Sequence, residues 1–378
     1  MKIDERFENT FDMLDSETDV TLQFTTQSSA RPLDICFVLC YSYPLGKAYA
    51  MQYHYVSANL VDDGNGDTFE VRFRRGEPSG GYDIRIHYIV IASTDISVIH
   101  ASYSYSSYSI TDDTVAVDPT NTIPIVTYRT TSSGQELENF VQYCEIDSGS
   151  VTFEKYTNTK TLEVEAQFVQ SSTFDVGQVI VSNTDFNPQT GALPSVNGST
   201  AYSTNSFMLL NYKANSQMEG AGSYKVAYYD DANDEYVIKN YDTSYSSSAQ
   251  CILYFVKISN SELESTNYEQ IGFDTTSTNL TFTSKYTELS NTFFVPSALQ
   301  GYLYTTSEEF ESRHDIVSGV VKNGSNAGEV DWSKHSSEFP TEGYFSVIEL
   351  TPSTTGENFY YLHYVGRGVN IGVNNGIE

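Results

Sequence analysis

Basic residues are the scarcest class in this 378-residue chain: 20 Lys plus Arg stand against 49 Asp plus Glu, a formal net charge of −29. Charged residues total only 18%, so the imbalance reflects missing cations more than an excess of acids. Such a surface repels phosphate backbones and anionic headgroups, which argues against nucleic acid or a membrane as the main partner. Cysteine is nearly as sparse, with Cys36, Cys40, Cys144 and Cys251 too few and too scattered for a disulfide framework. On one strand Cys36 and Cys40 would share a face yet lie about 13 Å apart, so buried reduced thiols are expected. Long apolar runs are missing as well. The strongest stretches, near 86–92 and 251–258, fall short of the roughly 18–20 residues that cross a bilayer. The first residues, Met1-Lys2-Ile3-Asp4-Glu5-Arg6-Phe7-Glu8, put acids where a secretory signal would be apolar, so no signal peptide is expected.

Helical periodicity is also nearly absent, and only 5–14 and 307–314 are candidates for short helices. Alternation with period two takes its place. Val20-Thr21-Leu22-Gln23-Phe24 alternates apolar and polar, as do 69–74 and Ile84-Arg85-Ile86-His87-Tyr88. Turn signals separate such runs: Asp63-Gly64-Asn65-Gly66-Asp67, Pro78-Ser79-Gly80-Gly81, Asp230-Asp231-Ala232-Asn233-Asp234 and Asn374-Asn375-Gly376. With 39% hydrophobic residues, 30 Tyr and 21 Phe, the chain can build packed cores. The expected fold is all-β: two or three tandem antiparallel β-sandwich domains, jelly-roll or lectin-like, with very little helix.

A weak repeat of plan supports three domains. Opening strands at 19–24, 162–169 and 280–286 each precede a Ser/Thr-rich turn, and closing apolar strands fall at 84–92, 251–258 and 359–365. The expected division is an N-terminal docking arm at 1–18, then β domains at 19–130, 148–262 and 268–378. The tract 93–121, with its Tyr/Ser run and Asp112, Asp113 and Asp118, is read as an edge strand leading into a connector that closes the first.

Signatures of catalysis are lacking. There is no Gly-x-Ser-x-Gly elbow, no Walker loop and no dinucleotide glycine pattern. With 49 acids some carboxylate pair always falls at glycosidase spacing, so their number does not argue for hydrolysis, and a non-enzyme is expected. His54, His87, His100, His314, His335 and His363 show no zinc spacing, and His87 and His363 are read as polar-face strand residues. The most chemistry-like string is Asp62, Asp63, Asn65, Asp67 and Glu70, oxygen ligands with intervening glycines that form a candidate calcium loop. Its alternative is an acidic hairpin turn. A second acidic cluster spans Asp230, Asp231, Asn233, Asp234 and Glu235. No other cofactor is implied. Tyr41, Tyr43, Tyr53 and Tyr55 crowd one segment, and Tyr103 and Tyr105 share one side of a strand. Phenol rings in such numbers suit sugar faces or protein interfaces, and equally the half-exposed positions of strands. Sequons at Asn197, Asn279 and Asn323 are read as chance in a chain rich in Asn, Ser and Thr.

The tandem β plan, the Tyr, Asn, Ser and Thr bias and the acidic start 4–15 together resemble accessory virion proteins of tailed viruses infecting bacteria or archaea. Those are head-decoration, head-fibre or tail-associated proteins. The resemblance implies a structural role on the virion, other virion proteins as partners and homo-oligomerisation, with no nucleic acid bound and no membrane insertion. Residues 19–92, with Pro32-Leu33-Asp34-Ile35 and the closing Tyr88-Ile89-Val90-Ile91-Ala92, are similar in plan to H-type lectin sandwiches. That likeness implies trimers and a host-surface glycan as partner, although the tryptophan common in that family's last strand is missing here.

Overall fold

The computed structural model describes residues 1–25, 32–45, 55–62, 64, 68–77, 83–132, 142–194, 206–216, 225–230, 232–240 and 248–258. From 263 to 350 it describes the backbones of the strands. The chain is all-β: the described residues hold one four-residue helix, α1 (Pro32–Ile35), and twenty-six strands. Eight three-stranded antiparallel sheets and one two-stranded ribbon account for them.

Those eight sheets fall into four pairs with one recurring topology, giving units A to D. Unit A holds β1 (Glu5–Met13), β2 (Asp19–Thr25), β3 (Cys36–Pro44), β4 (Val56–Asp62), β5 (Thr68–Arg75) and β6 (Ile84–Ala92). Its sheets are ordered β1-β6-β3 and β2-β5-β4. Unit B repeats this with β7 (Ser97–Tyr105), β8 (Ser109–Asp112), β9 (Thr122–Thr130), β10 (Gln142–Asp147), β11 (Ser150–Lys155) and β12 (Leu162–Gln170). Unit C does so with β13 (Phe174–Asn183), β14 (Gln189–Ala192), β15 (Ser206–Ala214), β16 (Lys225–Asp230), β17 (Glu235–Asn240) and β18 (Ala249–Ile258). Unit D opens with β19 (Leu263–Thr275), β20 (Asn279–Thr283) and β21 (Thr292–Pro296). An inserted ribbon of β22 (Tyr302–Tyr304) and β23 (Arg313–Asp315) follows, then β24 (Ser318–Val321), β25 (Glu329–Ser333) and β26 (Thr341–Leu350). In every unit the first strand pairs with the sixth and the second with the fifth, so the chain nests on itself before the next unit begins.

Alternation sets which side chains face inward. In unit A, Met13, Val38, Ile86, Tyr88 and Val90 of one sheet meet Leu22, Ala58, Val71 and Phe73 of the other in a single buried cluster. Phe73 packs on Phe11 and Tyr88 at centroid distances of 5.2 and 5.0 Å. All four cysteines are buried free thiols, and burial pushes Cys40 and Cys251 up to about 12.

Three local devices recur with different residues. The hairpins joining fourth to fifth strands each carry a left-handed residue, Gly64, Gly149 and Asp234. The turns leaving units A and B begin with Ser93 and Ser171, whose hydroxyls accept from the amides of Asp95 and Thr173. At the last residue of each fifth strand the amide closes the corner between first and second strands: Arg75 to Thr18 O, Lys155 to Tyr108 O and Asn240 to Phe186 O. A buried cation completes each corner. Arg75 donates to the carbonyls of Glu17 (2.7 Å), Leu14 (2.6 Å) and Asp15. Lys155 donates to Ser106 O and Lys160 O, and in unit C the cation comes from Lys225, paired across the ladder with Asn240. Burial brings both lysines down to about 8.

Several sequence expectations change. Segment 1–18 is not a free arm and 5–14 is not helical: β1 pairs over nine residues with β6, and Phe7 and Phe11 pack against the unit A core. Without β1, the sixth strand would lose one whole ladder. The tract 93–121 does hold an edge strand, β7 of the sheet β7-β12-β9, but β7 and β8 open unit B instead of leading out of the first domain. Residues 162–169 form a sixth strand, equivalent to 84–92 and 249–258, rather than an opening one. The described sheets therefore recur about every 77–92 residues, at Glu5, Ser97, Phe174 and Leu263, instead of following the divisions at 19–130, 148–262 and 268–378. The strand expected at 359–365 lies outside the described residues.

Replacing Arg75 with Leu strips three corner carbonyls of their donor and is expected to cost about 2–4 kcal/mol. Arg75→Lys should recover part of it. Urea unfolding midpoints of the three proteins check this.

Candidate functional site

The acidic string at 62–70 spans the end of β4 and the start of β5, which pair up to Asp62 opposite Phe69. Asp62 is exposed and its Oδ1 accepts from the Gly64 amide at 2.8 Å, while Glu70 stands half-buried within β5, opposite Val61 and Gln23. Asp63, Asn65 and Asp67 lie outside the described residues. In the second acidic cluster Asp230 accepts from Ala232 N and Asn233 Nδ2, and Asp234 accepts from the Tyr229 hydroxyl. Asp112 and Asp118 do the same one turn on, accepting from the amides and hydroxyls of Thr114 and Thr120. Those bonds hold both carboxyls below their usual range. Among the described residues no group of three or more His, Cys, Asp or Glu is gathered as a metal site. No described helix is long and apolar enough to cross a membrane.

The tyrosines divide similarly. Tyr103 and Tyr105 share a side of β7, as expected, but that side faces the core of unit B. Tyr105 is buried beneath the Lys155 ammonium, and Tyr103 packs on Phe153 at 4.9 Å with its hydroxyl donating to Asp112. Tyr55 is buried against Tyr128 at 4.7 Å. The Tyr41 and Tyr43 side chains, and all of Tyr53, lie outside the described residues. His87 is not on a wet face. It is buried, with Nε2 2.8 Å from Glu8 Oε1 and Nδ1 2.8 Å from Thr10 Oγ1. Burial alone would raise Glu8, but Arg6 and His87 override it and hold the carboxyl at about 2.

What the structure does bring together are the polar groups at the joints between units. The outer face of sheet β7-β12-β9 receives the β3 and β4 edges of unit A. An edge strand has unpaired N–H and C=O groups, and burying them unpaired is costly. Here side chains complete the ladder. Gln167 of β12 accepts from Val38 N at 2.7 Å and donates to Val38 O at 2.8 Å, so its amide stands in for a neighbouring peptide. Thr127 of β9 does so for Ala58, accepting at 2.9 Å and donating at 3.1 Å. His100 Nε2 lies 2.8 Å from Leu33 O and 3.1 Å from Cys36 O. Charged groups frame these bonds: Arg74 and Ser102 both reach Glu165, and Arg129 bridges Arg75 O and Glu163.

The next joint repeats the arrangement. The edge strand β10 of unit B meets β15 and β18 of unit C. The Tyr254 hydroxyl donates to Cys144 O at 2.8 Å and accepts from Ile146 N at 3.1 Å, and Gln178 donates to Ile146 O. Burial pushes the Tyr254 phenol well up, so the hydroxyl keeps the proton this bridge requires. Lys213 pairs with Glu154 and lies over the Tyr143 ring. The third joint places β16 against β26. Fourth strand onto the following unit's outer sheet is thus the common rule, and one hydrophobic cluster runs unbroken from unit A through unit C.

Sequence reading missed Gln167, Thr127, His100, Glu165 and Tyr254. The available signal was polar residues inside the most apolar strands: Glu165 and Gln167 interrupt 162–170, as His87 interrupts 84–92.

No protein-family model matches the chain, and no curated protein matches it either.

Two outcomes follow from the first joint. Gln167→Leu leaves both Val38 groups unpaired and should cost about 2–3 kcal/mol, with faster hydrogen exchange at the Val38 amide. Burial lowers the His100 pKa, opposed by its carbonyl bonds and by Asp34. A lowered folded-state pKa means the unfolded chain takes up the proton first. Stability is therefore full above the unfolded value of about 6.5 and is lost as pH falls below it. Thermal midpoints across pH 7.5 to 5, in steps of about half a unit, should show this loss in the parent and a flatter profile in His100→Gln.

Proposed function

We propose that the chain is a structural component of a virus particle, a decoration, fibre or tail-associated protein that acts through its serial β units. The observation that carries this reading is the repeated edge-on-face joint. Its polar side chains, Gln167 and Tyr254 buried and Thr127 and His100 half-buried, are committed to backbone groups of the preceding unit. Such joints fix the angle between units, which a spacer or coat element needs and a flexible string of binding modules does not. The nested strand order supports a jelly-roll-type reading of each unit. Other virion proteins and further copies of the chain are the partners this role requires, met on the particle after assembly in the host. For host-glycan attachment the expected support was an exposed tyrosine face, and Tyr55, Tyr103 and Tyr105 instead pack inward.

The test is immunogold microscopy with antibodies to the purified chain on particles from the source culture. Regular labelling at one place on the particle is the expected result. Chain recovered only in the particle-free fraction would overturn the proposal.

A further inference from the structure

The corner of unit C differs from its counterparts in chemistry. In units A and B the fifth strand ends in a cation, Arg75 or Lys155, that donates to main-chain carbonyls. In unit C that position holds Asn240, and the cation is Lys225 at the start of β16, directly opposite Asn240 in the β16–β17 ladder. Both side chains are out of solvent, Lys225 at 1% exposure and Asn240 at 0%. The Lys225 Nζ donates to Asn240 Oδ1 at 2.5 Å, and the Phe186 ring covers Nζ at 4.6 Å. Phe186 O also accepts from the Asn240 backbone amide, which fixes the strand end beside that residue. The electrophilic Cγ of Asn240 is one bond from the oxygen that Nζ already touches. Burial lowers the Lys225 pKa to about 8, against a weaker opposing pull from Cys251, so a share of the amine is neutral near neutral pH. A primary amine and a primary carboxamide are thereby held together, away from water, in one fixed contact.

We propose that Lys225 and Asn240 form an intramolecular isopeptide bond that ties β16 to β17. The Nζ lone pair of the neutral amine adds to Asn240 Cγ, and the π electrons of the carbonyl pass to Oδ1. A proton moves from Nζ to Nδ2, the carbonyl re-forms, and the Cγ–Nδ2 bond breaks with its electron pair leaving as ammonia. The product is a secondary amide between Nζ and Cγ, and no oxidant, metal or co-substrate enters the balance. The step happens once per chain, so no turnover is required, and the fixed contact supplies the high effective concentration that slow amide exchange needs. The bond also removes a buried charge that is costly to keep. Its place suits a joint, because β16 is the fourth strand of unit C, set against β26 of unit D. A covalent tie there would hold the joint's edge strand to its neighbour under load. The inference rests on this corner alone and stands apart from the virion reading.

Intact mass spectrometry of the full chain tests this. The folded parent should weigh about 17 Da less than its sequence, the mass of one ammonia, and the deficit should be absent from Lys225→Arg and Asn240→Ala. Tandem spectra of a tryptic digest should show a branched peptide joining 225 to 240, with no cleavage after Lys225. Full sequence mass in the folded parent, after about a week at about pH 9 where the neutral amine predominates, overturns the proposal. A deficit that persists in Lys225→Arg also overturns it, because an asparagine closing on its own backbone loses the same ammonia. Should a variant not fold, the branched peptide of the parent decides alone, and its absence overturns the bond.

Discussion

Sheet edges are the constraint on which this structure depends. A three-stranded sheet has one interior strand and two edges, so four of the six strands in every unit have a row of backbone groups without a ladder partner. Larger sheets would reduce that fraction, but the nested topology stops at three strands. The chain instead abuts one pair of edges on the next unit and supplies the missing partners from side chains. An amide at Gln167, hydroxyls at Thr127 and Tyr254 and an imidazole at His100 all perform the same task, because each has a donor, an acceptor or both at the reach of a peptide. That is why the central strand β12 carries Glu165 and Gln167 although both are buried. Its outer face meets a backbone edge, and an apolar side chain there would strand the polar groups of the edge.

The acidity of the chain takes on a different meaning in this light. Described cations are largely committed: Arg75, Lys155 and Lys225 to corner carbonyls or their neighbours, Arg74, Arg129 and Lys213 to joints. Carboxylates at Asp62, Asp112, Asp118 and Asp230 bind the amides of their own turns and stay solvated. On the outer edges of unit A, Asp12 with Arg85 and Asp19 with Arg72 place charge along β1 and β2, which discourages pairing with foreign strands. The surface is acidic because basic residues are few, and Arg75, Lys155 and Lys225 among them are spent on buried corners.

Fold class was legible because alternation at Val20–Phe24 and 69–74 depends only on which side of a pleat a residue occupies. The strands β2, β5, β6 and β12 were visible in this way, and β18 as an apolar run. Their grouping was not, because the repeat lies in pairing order, and corner residues as different as Arg75, Lys155 and Asn240 fill one position. Reading 162–169 as an opening strand hid unit B and stretched the period. The Tyr103–Tyr105 alternation was read correctly while its direction was not: a strand with two different faces shows which residues go together, and burial is decided by what arrives from elsewhere.

The sequence by itself determined an antiparallel β protein with reduced buried thiols, hairpin turns at acidic Gly- and Asn-containing strings, and a strongly negative surface. These follow from nearest-neighbour geometry and from counting charges. Tertiary structure alone decided that the described strands form four units, that 5–13 is a strand instead of an arm, and that Gln167, Thr127, His100 and Tyr254 are the residues on which unit-to-unit geometry rests. Each of those depends on a partner 60 to 130 residues away in sequence, as Gln167 and Val38 are 129 apart, and local pattern holds no information on which edge a polar side chain will meet.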